Sequence, residues 1–187
     1  MIKNLFFLFE NLIWNIQCRY NLWLHGPYGL TKVIEKMPFK FIPKYLRKYG
    51  ASIGEKCVIE RGLRIHRPAS DLPFKNLKVE NNVYLGHNVL LDLTDVITIE
   101  ENVKIGADSH LWTHVGYFEN LNSGEKHYKE DVKEVLIKNG AIIYSNVVVM
   151  QGISVGSFAR VGANSLVNKT IPANQFWGGV PVKEIKI

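Results

Sequence analysis

IKNGAIIYSNVVVMQGISVGSFARVGANSLVNKTI, residues 137–171, returns to an aliphatic at every sixth position: Ile137, Ile143, Val149, Val155, Val161 and Val167. Four residues after each stands Ala141, Val147, Ile153, Ala159, Ser165 or Ile171, mostly small or β-branched. A period of six matches neither the 3.6 of a helix nor the alternation of a lone strand. It matches a short strand, a corner and another short strand, stacked as a solenoid. The aliphatic then points inward onto its counterpart one coil away, and the smaller residue lets the backbone turn.

The same register extends backwards. Ile53, Ile59 and Ile65 form one triplet; Val79, Leu85 and Leu91 a second; Ile99, Ile105 and Leu111 a third. With Ile137, Ile143 and Val149, then Val155, Val161 and Val167, this gives five triplets. Every slip falls between triplets: eight extra residues after Ile65, two after Leu91 and twenty after Leu111. If one triplet is one triangular turn, all three insertions leave from the same corner. Loops gathered on one edge of a rigid scaffold are a usual home for chemistry. The longest, residues 115–135 (VGYFENLNSGEKHYKEDVKEV), is polar and carries His127.

The run from Ile142 to Ile185, ending in Trp177-Gly178-Gly179-Val180-Pro181-Val182-Lys183, closely resembles the C-terminal end of hexapeptide-repeat O-acetyltransferases. Those of the maltose/galactoside and exopolysaccharide (colanic-acid) types are the nearest likeness. The resemblance covers about three quarters of the chain, from Ser52 to Ile187. It implies a mainly β fold, a left-handed parallel β-helix of about five coils, and a homotrimer. The handedness comes from the family alone, since it departs from the usual right-handed crossover. The expected division is a helical extension over 1–50 and the β-helix over 51–187, with 115–135 inserted.

The resemblance also implies acetyl transfer from acetyl-CoA to a saccharide hydroxyl, in surface polysaccharide or glycolipid synthesis. Such a reaction needs a base within reach of the acceptor oxygen, and histidine titrates in the right range. In the family that base follows the last aliphatic of the coil before the long insertion, which points to His114. The family spacing falls on Gly116, two residues further on. His87 and Asn88, on the preceding coil, and His127 are the acceptor-binding candidates; His110 turns away from the core. Ser145, Gly162, Ala163, Lys169, Trp177 and Lys183 match positions that line the coenzyme groove. No metal is expected: a zinc site from His87, His110 and His114 would need three imidazoles and an open position, and their spacing does not resemble the solenoid carbonic anhydrases. N-acetylation of an amino sugar, or a non-catalytic assembly role, are the alternatives.

The first fifty residues hold eight Lys/Arg against two Glu, so the whole formal excess of +6 lies there. The remainder is neutral, which speaks against a general affinity for nucleic acid. Phe6, Phe9, Ile13, Ile16 and Tyr20 recur at three and four, predicting an amphipathic helix over 1–24 that is broken at His25–Gly29. Lys3, Glu10 and Arg19 interrupt it too often for a membrane span. Two readings remain: a cap on the first coil, or contact of residues 1–48 with a membrane surface bearing a lipid-linked acceptor. Two cysteines without metal or disulfide spacing suggest a reduced, cytosolic setting, with peripheral attachment to the inner membrane face on the second reading.

Overall fold

The computed structural model describes residues 2–120 and 126–186. From residue 52 onwards the chain visits three parallel sheets in strict rotation, in strands of two or three residues. The first sheet stacks Ser52–Ile53, Leu77–Val79, Ile97–Ile99, Val135–Ile137 and Ser154–Val155. The second stacks Val58–Ile59, Tyr84–Leu85, Lys104–Ile105, Ile142–Ile143, Arg160–Val161 and Phe176–Gly178. The third stacks Arg64–His66, Leu90–Asp92, His110–Leu111, Val148–Val149 and Leu166–Val167.

The register puts each periodic aliphatic on its counterpart. Ile53, Val79, Ile99, Ile137 and Val155 are successive partners in the first sheet. Ile59, Leu85, Ile105, Ile143 and Val161 repeat this in the second, and Ile65, Leu91, Leu111, Val149 and Val167 in the third. These side chains are buried, so the core is a column of aliphatics three abreast. A hole in the column cannot be filled by distant groups. Leu85→Ala is expected to cost about 2–5 kcal/mol, read as a lower denaturation midpoint at unchanged m-value.

Two corners of each turn are tight. Asn82, Asn88, Asn102, Asp108, Asn146 and Asn164 sit there with φ between 56° and 60°, a region that asparagine and aspartate enter more readily than other residues with a side chain. Their side chains then bridge coils, as in Asn82 to Asn102 at 2.8 Å and Asn88 to Asp108 at 3.1 Å. The third corner, between the third sheet and the first, carries the two long connections, 67–76 and 112–134. Of the four passages from the third sheet back to a named strand of the first, 67–76 and 112–134 are long, while 93–96 and 150–153 are four residues each.

Residues Ile2–Lys36 form one helix broken at Gly26, whose φ of 63° and ψ of −160° are non-helical. The basic segment before the solenoid is itself a helix, Ile42–Lys48, with proline in its first turn and Ile42, Tyr45 and Leu46 turned inward. Leu30, Ile34, Met37 and Phe41 are buried with them. Gly62 donates to the carbonyl of Glu35 (3.1 Å), and Arg47 donates to the carbonyls of Ile53 (2.7 Å) and Gly54 (2.6 Å). The part from Leu30 onwards thus covers the open end of the first coil. At the other end, Phe176–Gly178 continues the second sheet and Lys183–Glu184 closes it antiparallel.

Candidate active site

The strands of the third sheet end side by side at the corner that carries the insertions. The residue after the inward aliphatic of each triplet arrives there: His66 after Ile65, Asp92 after Leu91 and Trp112 after Leu111. His66 and Asp92 are register partners. Beyond Trp112 the chain turns through Thr113 into His114, the first residue of an antiparallel hairpin, His114–Asn120 with Lys126–Val132.

Asp92 is completely buried, and its carboxylate organises that turn. Oδ2 accepts from the main-chain N–H of Thr113 (2.9 Å) and of His114 (3.0 Å), from the Thr113 hydroxyl (3.0 Å), and from His114 Nδ1 (2.6 Å). Oδ1 accepts from the Thr94 hydroxyl at 2.8 Å. Burial pushes the carboxyl up, but the hydrogen bonds from His114, Thr94 and Thr113 outweigh it and hold it below its ordinary value. An ionised carboxylate at 2.6 Å fixes the proton of His114 on Nδ1 and leaves Nε2 as the basic nitrogen. The His114 side chain is only 11% exposed.

His66 stacks on His114, with ring centroids 5.5 Å apart and planes 13° from parallel. Trp112 meets both imidazoles edge-on, at 5.6 and 6.2 Å. Burial lowers the pKa of His66, and His114 and Arg67 lower it further against the pull of Asp92, which keeps the ring neutral. One strand along, Arg64 donates to His110 Nε2 at 2.9 Å. Burial, and then the Arg64 charge, lower the pKa of His110. Arg64 Nε is buried and has no hydrogen-bond partner among the described residues. Arg64 also lines a cavity of about 280 Å³ between the third sheet and the N-terminal helix, with Tyr28, Thr31, Glu35, His66 and Leu90 among its other walls.

The hairpin is anchored at its base. Arg67 grips Glu130 through two contacts of 2.9 and 2.8 Å, and the Tyr128 hydroxyl donates to the same carboxylate at 2.9 Å. Tyr128 lies over Gly116: a Cβ there would stand 2.2 Å from the tyrosine oxygen. A side chain at 116 would require Tyr128 to move.

The other sequence candidates are distributed as follows. His87 and Asn88 lie at the corner between the second and third sheets, on the opposite edge of the third sheet from His114. Asn88 has φ 58° and spends its amide on Asp108; His87 is 3.9 Å from Glu60. His127 pairs with Glu119 far out on the hairpin, and residues 121–125 of the insertion lie outside those described. Ser145, Gly162 and Ala163 lie at the second-to-third-sheet corner, in line with His87. Lys169 sits 5.1 Å over the Trp177 ring, while Lys183 pairs with Gly178. Within one chain, Ser145, Gly162 and Ala163 thus lie on the opposite edge of the third sheet from His114, Lys169 follows the last strand of the third sheet, and Trp177 and Lys183 belong to the second sheet.

Asp92, His66 and Arg64 were missed by sequence reasoning. The signal was available in the register, which sets a histidine and an aspartate at equivalent positions just past Ile65 and Leu91. His66, Asp92 and His114 also have ligand atoms within 4.8 Å of one another. However, Asp92 Oδ2 already accepts four hydrogen bonds, two from the main chain, and a cation there would have to break the contact that orients His114. The donor set suits a hydrogen-bonded dyad better than a metal centre.

No family model matches the chain. It is 28% identical over 141 residues to a putative colanic acid biosynthesis acetyltransferase of Escherichia coli, covering 75% of this chain and 71% of that one. To the galactoside O-acetyltransferase of the same organism it is 30% identical over 113 residues, 59% of this chain and about half (54%) of the enzyme. Among solved structures, a hexapeptide-repeat acetyltransferase of Vibrio cholerae complexed with acetyl-CoA superposes with a TM-score of 0.73 over 87% of each chain, at 19% identity. In sequence this chain resembles known and putative acetyltransferases, and in fold a hexapeptide-repeat acetyltransferase.

Proposed function

We propose that the protein is an acetyl-CoA-dependent O-acetyltransferase acting on a saccharide hydroxyl, with His114 as general base and Asp92 as its positioning residue. The observation that carries the reading is the 2.6 Å contact between His114 Nδ1 and a buried, ionised Asp92. His114 Nε2 takes the proton of the acceptor hydroxyl as its oxygen attacks the thioester carbonyl. The tetrahedral adduct collapses, the C–S bond breaks, and the leaving thiolate takes the proton from the imidazolium. No acyl-enzyme intervenes.

The acceptor lies against His66, Trp112 and Arg64. The donor lies along Ser145, Gly162 and Ala163, with Lys169 and Lys183 at its phosphates and Trp177 beside them. Neither backbone nor packing within the chain requires glycine at 162, where an added Cβ would be 3.6 Å from its nearest neighbours. Close approach of a ligand explains it. In this reading the solenoid is left-handed, with five coils, and three copies close into a ring. One copy's coenzyme edge then meets the next copy's His114 corner.

Thiol release from acetyl-CoA, followed across soluble saccharides, amino sugars and lipid-linked glycans, tests the proposal. The expected product is an alkali-labile ester. An alkali-stable amide would move the reaction to an amine, and absence of thiol release across the panel would end the reading.

A further inference from the structure

The first part of the N-terminal helix is mounted the wrong way round for a soluble protein. Its polar side faces the fold: Glu10 pairs with Lys40, Asn11 accepts from Lys44 (2.9 Å) and from the Tyr45 hydroxyl (2.7 Å), and Asn15 accepts from Lys48 (2.5 Å). Phe7 adds a stack on Phe41 at 5.0 Å. Cys18 is buried on the same side. With this side held, the opposite one is turned to solvent. It carries Leu5, Phe9, Leu12, Ile16, Tyr20 and Trp23, one continuous stripe at spacings of three and four. All are exposed, Leu5 to 70% and Trp23 to 80%.

A contiguous apolar face of this kind marks an interaction surface. Two observations say what covers it. The +6 excess of the chain lies in residues 1–50, so a second copy laid on the stripe would bring like charge against like charge. An anionic surface is attracted instead. Beside the stripe, Arg19, Leu22, Trp23, Lys48 and Tyr49 enclose an open cavity of about 410 Å³, with Lys48 held 5.5 Å over the Tyr49 ring. Two cations among aromatic walls suit a phosphate headgroup, since indole and phenol rings favour the depth at which headgroups lie.

We infer that the outward face of this helix, from Leu5 to Leu24, lies in the interfacial layer of an anionic bilayer and holds the enzyme at a membrane surface. No helix among the described residues is long and apolar enough to cross one, so the helix lies on the membrane and does not span it. The stripe shares no residue with the His114 corner or the coenzyme edge, and docking stands or falls apart from the acetyltransferase reading.

Vesicle flotation of the full chain tests this. The protein is expected to float with vesicles of equal parts phosphatidylglycerol and phosphatidylcholine, and to be released by high salt more than by dilution. Serine at Phe9, Ile16 and Trp23 together is expected to cut the bound fraction by about tenfold or more. Its thermal melt, and its activity on a water-soluble acceptor where one is found, should match the parent. Arg19→Gln alone is expected to weaken binding to the anionic vesicles by about fivefold, with little effect on pure phosphatidylcholine. If the parent does not float, the inference is overturned. It is equally overturned if the triple variant floats like the parent, or if light scattering shows the stripe consumed by pairing of copies that the triple variant separates.

Discussion

Asp92→Asn is expected to lower kcat by about 10²- to 10⁴-fold while leaving the KM for acetyl-CoA within a small factor of the parent. The two main-chain N–H groups of Thr113 and His114 that converge on Oδ2 will hold the amide oxygen of asparagine in that place. His114 Nδ1 therefore keeps an acceptor and its tautomer. What disappears is the negative charge that stabilises the imidazolium as the acceptor proton moves onto Nε2. Asp92→Ala goes further, because it strips the acceptor from two buried N–H groups, and it should also destabilise the fold by about 3–5 kcal/mol. A near-parental kcat in the asparagine variant would remove Asp92 from the mechanism.

The aspartate also sets an acid limit on stability. Its folded-state pKa lies below the ordinary carboxyl value, so the folded protein binds this proton less readily than the unfolded chain. The stabilisation is complete above about pH 4 and is lost as pH falls through the lower, folded value. The melting temperature of the parent should therefore fall more steeply on acidification than that of Asp92→Asn.

His114→Ala is the second large effect. Removing the base is expected to cut the rate of thiol release by about 10²- to 10⁴-fold. Coenzyme A binding, measured by calorimetry, should be unchanged, because the proposed donor contacts, at Ser145, Gly162, Ala163, Lys169 and Lys183, are made by groups other than this imidazole. This separation distinguishes a base from a residue that merely shapes the pocket. A variant that retained full activity would shift the role to His66, whose ring stacks on that of His114.

The solenoid was legible because its signal is repeated. Each aliphatic sits at a multiple of six from the next, and the register then stacks Ile59 on Leu85 on Ile105 with no further information. His114 was singled out by its place after Leu111, although the chain departs from the family spacing. In the structure Tyr128 occupies the space above Gly116. The partner of His114 was harder to see. Asp92 lies twenty-two residues away in sequence and meets it only because two coils end at one corner. A pairing of that kind is a product of stacking, invisible to any local pattern. The hairpin inside residues 115–135 escaped notice for the opposite reason. Its strands hang away from the core with even Val115, Tyr117 and Phe118 exposed, so no alternation of burial is written into them. In the N-terminal segment, periodicity revealed the stripe but not its direction, which is set by Glu10, Asn11 and Asn15 reaching for lysines some thirty residues on.

Two of the three vertices of the prism are locked by short asparagine turns that leave no freedom in chain length. The third is unconstrained, and among the described residues the arm rooted between Thr113 and Lys133 is tied to the solenoid at its foot, by Arg67 and Glu130. Its reach and composition are thus free to vary without any toll on the aliphatic column. Exchanging that arm for one of another length or charge would retune which glycans are admitted, and the stiffness of the scaffold would pass unaltered from one version to the next.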